Sequence, residues 1–130
     1  MDRKSFKDLM VYKNSYKLSI IIHKISLKLP FEVRDIADQI RRCSRSIPTN
    51  IIEGYARNKS IKDRINFLKT ALGSNDEMLV HLKYLIDLDL YNKKIVNKII
   101  ESYELNGKRL NKLITFNKKL TRSLENKQTR

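Results

Sequence analysis

Apolar residues recur at spacings of three and four along almost the whole chain, the pattern of helices that each bury one face. A first helix is predicted from about Asp8 to Leu29, where Val11, Leu18, Ile22, Ile25 and Leu29 form one stripe and Leu9, Tyr12, Tyr16 and Ile20 a second beside it. Two stripes imply two packing partners, a bundle core and a second subunit, or else one wide core-facing stripe. Pro30 closes this segment, because the residue before a proline is pushed out of helical geometry. A second helix begins near Phe31 to Val33 and carries Val33, Ile36, Ile40, Cys43, Ile47 and Ile51 in steps of three and four. The third reads as an unbroken heptad stripe, Ile61, Ile65, Leu68, Leu72, Asn75, Leu79, Leu82 and Ile86, in which Asn75 is the one polar member and is expected to set register. The fourth repeats that pattern through Val96, Ile99, Tyr103, Asn106, Leu110, Leu113, Asn117, Leu120 and Leu124. Such a sequence predicts an all-α, antiparallel up-down four-helix bundle over residues 1–124, followed by a basic tail over 125–130 that frays from Glu125 onward.

The turns and interruptions refine this picture. Ser60, three residues before Asp63, resembles a capping box, and Asn92 is placed to cap the fourth helix. Pro48 is expected to bend the second helix, since it removes the donor that the Ser44 carbonyl would otherwise receive. If that helix continues, Asn50, Glu53 and Arg57 share one flank and Glu53 pairs with Arg57 across one turn. Gly54 would let another helix approach closely. Gly73 and Ser74, small residues inside a strong helix, are expected at a close helix crossing, facing the Gly54 region. Pro48, Asn50, Glu53, Gly54, Arg57, Gly73 and Ser74 are therefore read as packing and assembly residues rather than as chemistry.

Composition changes the picture at one point. The chain has 130 residues, three glycines and two prolines, which fits one loop-poor domain, but 28 Lys and Arg stand against 14 Asp and Glu, a formal charge of +14. A field of that sign favours polyanions, nucleic acid above all. The excess is uneven: residues 1–60 carry 13 basic and 6 acidic side chains, residues 61–90 carry 4 and 5, and residues 91–130 carry 11 and 3. The third helix contributes none of it. On the second helix Arg34, Asp38, Arg41 and Arg45 fall on one face away from the apolar stripe. On the fourth, Lys94, Lys98, Lys108, Arg109, Lys112, Lys119 and Arg122 lie opposite the stripe. These ten cations are the candidate phosphate contacts, sequence-independent in kind. The bland alternative for each row is a solvated face.

Other chemistry is not expected. The lone Cys43 fits a reducing cytoplasm and lies on an apolar stripe, where it reads as a small buried hydrophobe. His23 and His81 have no Cys or second His at ligand spacing, so neither a metal nor any other cofactor is expected. No glycine loop, nucleophile elbow or acid-base pair points to an enzyme. Tyr55, Tyr84, Tyr91 and Tyr103 read as packing residues, without the aromatic-basic interleaving of single-strand platforms. No apolar run approaches the roughly 20 residues of a membrane span, and the fourth helix needs its apolar face for the bundle, so a cytoplasmic protein without membrane contact is expected.

The run from Arg41 to Gly54, with Ser46-Ile47-Pro48, Asn50-Ile51 and Glu53-Gly54, continues through Arg57, Phe67-Leu68, Ala71, Gly73-Ser74 and Glu77. It resembles the four-helix-bundle proteins encoded in intervening sequences of bacterial 23S ribosomal RNA genes, from Phe6 and Leu9 to about Tyr91. Tyr12 stands where relatives often have Trp, and Cys43 and Ile52 replace smaller residues. The resemblance implies an up-down bundle assembling as a ring of five. More distant relatives, the accessory variability proteins of diversity-generating retroelements, imply a reverse transcriptase as a partner. Residues and resemblance together predict a non-enzymatic basic homo-oligomer that binds RNA, in preference to DNA, without strong sequence preference, or alternatively a scaffold that recruits such an enzyme.

Overall fold

The computed structural model describes residues 9–128, so the expected helix start at Asp8, the resemblance at Phe6 and the end of the tail at residues 129–130 lie outside the described residues. Four helices follow one another: α1 (Met10–Ser26), α2 (Arg34–Gly54), α3 (Ile61–Asp87) and α4 (Lys93–Gln128), with a short 3₁₀ turn at Phe31–Val33 after Pro30. Among the described residues there is no strand. The fold is an all-α four-helix bundle in which α1 packs on α2, α2 on α3 and α3 on α4, with a smaller contact between α1 and α4.

The helix ends follow local chemistry. The Asp63 amide donates to the Ser60 hydroxyl at 3.1 Å and the Ser60 amide to the Asp63 carboxylate at 3.3 Å, a reciprocal cap despite the short Asp. The Ile95 amide donates to the Asn92 side chain at 3.0 Å, capping α4 as expected. Asp89, at φ 53°, makes the turn between α3 and α4; Asp tolerates that left-handed geometry better than most side chains. α4 continues through Gln128, beyond Glu125, where fraying was expected. α2 runs through Pro48 without a break, and Ser44, whose carbonyl faces the proline, donates its own hydroxyl to the Arg41 carbonyl at 3.1 Å.

The core unites Val11, Leu18, Ile22 and Ile25 of α1 with Ile40, Ile47 and Ile51 of α2, Leu68 and Leu82 of α3, and Val96, Tyr103 and Leu110 of α4. Full burial of each such aliphatic side chain is worth about 2 kcal/mol. On α3 the wholly buried line is Leu68, Ala71, Asn75, Met78, Leu82 and Leu85, whereas the predicted Leu72, Leu79 and Ile86 sit half-buried on its shoulder. A straight helix with two neighbours buries a broad face, and a strict heptad drifts about 20° per repeat against it. On α4, Leu113 yields the buried place to Ile114, and Leu124 is 44% exposed. Asn75 is fully buried and donates to the Tyr103 carbonyl at 2.8 Å. That bond ties α3 to α4, as its predicted register role requires.

Candidate nucleic-acid interface

The two cationic rows have different fates. On α2, Arg34 and Arg45 are exposed, and the Arg34 guanidinium lies 4.3 Å from the centre of the Phe31 ring. Arg45 donates to the Arg41 carbonyl at 3.2 Å. Arg41 leaves the row: it is only half exposed, donates to the Ser26 hydroxyl of α1 at 2.8 Å and pairs with Asp38. A guanidinium committed to two partners that tie α2 to α1 is poorly placed to collect a phosphate, so the expected row of three arginines reduces to two.

Six of the seven cations of the α4 row stay on the surface. Lys94, Lys98, Lys108, Lys112, Lys119 and Arg122 are all exposed. At 100° per residue they share one face, opposite the buried line through Tyr103, Leu110 and Asn117. Arg109 lies at the margin of this row, half-buried in the groove where α4 meets the start of α1, and its Nη1 is buried without a hydrogen-bond partner. That groove, of about 420 Å³, is lined by Leu9, Met10, Val11, Arg109, Lys112, Leu113 and Phe116.

Phe116 is the residue that sequence reasoning missed. It is 55% exposed and shares a shallow depression of about 310 Å³ with Asn111, Lys112, Thr115 and Lys119. An aromatic face flanked by two ammonium groups is what stacking on a base with simultaneous phosphate contact requires. Its signal in the sequence was an apolar residue off the α4 stripe. Of the tyrosines, Tyr55 and Tyr103 are buried, which removes them from stacking; Tyr84 is 52% exposed.

The packing motif divides in the same way. Gly54 is buried at the crossing of α2 and α3, where an added Cβ would stand 3.2 Å from Phe67 Cβ and 3.3 Å from the Arg64 carbonyl. The close approach predicted there is real and lies within the chain. Gly73 is exposed with nothing within 4 Å, so it does not face Gly54 and makes no crossing within the chain. Ser74 instead shares a 2.8 Å hydrogen bond with Ser46, and Asn50 donates to the Ser46 carbonyl at 2.7 Å. α2 stops at Gly54, so Arg57 falls in the following turn and the predicted Glu53–Arg57 pair is not made; both side chains are exposed. Pro48 is buried, and beside it an apolar groove of about 270 Å³ opens between α1 and α2, lined in part by Tyr12, Tyr16, Ile20, Arg45 and Ile52. The second stripe of α1 is thus on the surface, with Tyr16 54% and Ile20 44% exposed.

Cys43 is buried as expected, but not among hydrocarbon alone. Its thiol donates to the Ser74 carbonyl at 3.1 Å and lies 3.7 Å from Glu77 Oε2. Burial first, and then the Glu77 carboxylate, push the thiol up to about 12. That is the opposite of what a nucleophilic cysteine needs.

A compact all-α bundle with a cationic outer face on its last helix is thus the class that fold and surface define. The chain belongs to the family of 23S rRNA-intervening sequence proteins, whose model matches residues 7–112. Among solved structures it is similar to a protein of unknown function from the S23 ribosomal protein family of Bacteroides thetaiotaomicron VPI-5482, with a TM-score of 0.75 and 28% identity over 84% of this chain and 98% of that one. No curated protein matches. Among the described residues, no helix is long and apolar enough to cross a membrane.

Proposed function

We propose that this chain is a non-enzymatic RNA-binding bundle that works as a homo-oligomer and holds single-stranded RNA along α4 without sequence preference. The observation that carries the reading is Phe116, exposed between Lys112 and Lys119 on a helix face that the core does not use. Phosphate neutralisation by the flanking lysines supplies affinity, and an aromatic stack adds about 1–3 kcal/mol for each base it holds. Stacking favours unpaired strands, and therefore RNA loops over duplex DNA. Lys94, Lys98, Lys108 and Arg122 extend the track along the helix.

An antiparallel up-down order is supported by side-chain pairings that run in opposite senses: Gly54 with Arg64 and Cys43 with Glu77 between α2 and α3, Arg64 with Asn117 and Asn75 with Tyr103 between α3 and α4. Assembly is supported by the exposed Tyr16, Ile20 and Ile52 beside Pro48, an apolar strip on the α1–α2 side of the bundle. A ring of five is the number that the family resemblance implies.

The same strip favours a second reading, a scaffold that docks a partner enzyme such as a reverse transcriptase and uses its charge only incidentally. Reversing Lys112, Lys119 and Arg122 to Glu and replacing Phe116 with Ala separates the two. Under the RNA reading both variants lose binding to a labelled single-stranded RNA while remaining folded. RNA binding unchanged by both would refute it and leave the scaffold.

A further inference from the structure

The fold brings together three side chains that the sequence keeps apart: Cys43 from α2, and Glu77 and His81, one helical turn from each other on α3. One ligand atom from each lies within 4.8 Å of the other two, and Cys43 Sγ already stands 3.7 Å from Glu77 Oε2. Around tetrahedral zinc, with metal–sulfur distances of about 2.3 Å and metal–nitrogen or metal–oxygen distances of about 2.0–2.1 Å, ligand atoms stand roughly 3.3–3.6 Å apart. The sulfur and the carboxylate are at nearly that separation. His81 is half-buried, and its nearest ring nitrogen lies within 4.8 Å of both. The geometry points to a site for a thiophilic divalent cation, Zn²⁺ by ligand type, formed by Cys43 Sγ, a Glu77 carboxylate oxygen and an imidazole nitrogen of His81, with the fourth position taken by water.

Charge and hydrogen bonding both favour this occupant. A thiolate beside a carboxylate is a repulsive pair, which the metal-free chain avoids by keeping the sulfur protonated; a divalent cation offsets both negative charges at once and so lets the thiolate form. On binding, the S–H bond that now serves the Ser74 carbonyl breaks, the proton passes to solvent and the sulfur takes the metal; no electron is transferred. The second observation is a buried polar group on α4. Tyr103 of α4 is wholly buried and its hydroxyl has no hydrogen-bond partner. Burial chiefly, and the charge of a Cys43 thiolate second, disfavour ionisation of that hydroxyl. A metal-held water or thiolate there supplies the acceptor that the hydroxyl lacks, the kind of outer contact that orients metal ligands. The Ser46–Ser74 bond at 2.8 Å holds α2 and α3 together beside the site.

The chain has a single cysteine, so a cobalt–thiolate charge-transfer band can arise only from Cys43. Full-length protein freed of metal with a chelator is titrated with Co²⁺ and followed in the near ultraviolet and the visible. The expected result is a charge-transfer band with tetrahedral d–d bands, saturating at equimolar Co²⁺ and lost on adding equimolar Zn²⁺. Glu77→Gln and His81→Gln, both outside the core, should weaken Co²⁺ binding at least tenfold, about the least that even loss of an outer contact costs. Cys43→Ser should abolish the charge-transfer band. His23→Gln, on the exposed face of α1, should bind as the unmodified chain does. The absence of a charge-transfer band, or its persistence at full affinity in both His81→Gln and Glu77→Gln, would overturn the site, whether or not Cys43→Ser folds.

Discussion

The Arg64 side chain donates from Nε to the Gly54 carbonyl at 3.3 Å, while the Arg64 backbone carbonyl would stand only 3.3 Å from a Cβ on residue 54. Glycine at 54 and arginine at 64 therefore define one contact between α2 and α3. Gly54→Leu must push the helices apart, at a cost of about 3 kcal/mol. Denaturant unfolding should show that loss in the isolated chain. A variant of unchanged stability that only dissociates would place the contact between subunits instead.

Arg64 holds more than Gly54. Its Nη1 donates to the Asn117 side chain of α4 at 3.3 Å and its guanidinium lies 4.3 Å from the Tyr55 ring centre. Arg64→Leu should cost about 2 kcal/mol, through the lost charged hydrogen bonds and the lost stack. Arg64→Lys, which keeps the charge and loses the fork, should recover less than half of that in the same unfolding experiment.

Gly73 offers the opposite case. It is exposed in the middle of α3, where an added Cβ would meet nothing within 4 Å beyond its own helix, so Gly73→Ala should stabilise the isolated chain by roughly 0.5–1 kcal/mol through helix propensity. The melting temperature measures this directly. A destabilisation that disappears on dilution would mean that a second subunit approaches the backbone at this position.

These contacts show what the sequence made legible and where it stopped. Pro30, the Ser60–Asp63 cap and Asn92 are local signals, and they located the helices because capping needs only neighbours in the chain. Asn75 was identified because one polar residue in an apolar stripe is conspicuous. The buried line of α3 was misplaced by one position at Ala71 and Met78, since an alanine and a methionine carry less periodic signal than the leucines beside them. Arg41 looked like surface charge and Arg64 gave no signal at all, because their partners, Ser26, Gly54 and Asn117, are set by tertiary packing. The grouping of Cys43 with Glu77 and His81 was out of reach for the same reason: spacing rules search along one element, and these ligands come from two.

The Cys43 thiol, raised from its ordinary 9.0 to about 12 by burial first and by Glu77 second, gives a pH prediction. The folded chain holds this proton more tightly than the unfolded chain, so its contribution is complete below about pH 9 and is lost as the pH rises toward about 12. Stability measured by denaturation at about pH 8 and about pH 11 should fall more for metal-free protein than for Cys43→Ser. Equal losses would show that the thiol is not held this way.

The central claim is that the α4 face neutralises RNA phosphates, and the salt dependence of binding tests it most directly. Purified, nuclease-treated protein is titrated against a labelled single-stranded RNA over a salt series. The account predicts a linear fall of log affinity with log salt, with a slope of about −3 or steeper, flattened by about 2 when Lys112, Lys119 and Arg122 are reversed to Glu. No binding at low salt, or a slope that the reversal leaves unchanged, would contradict it.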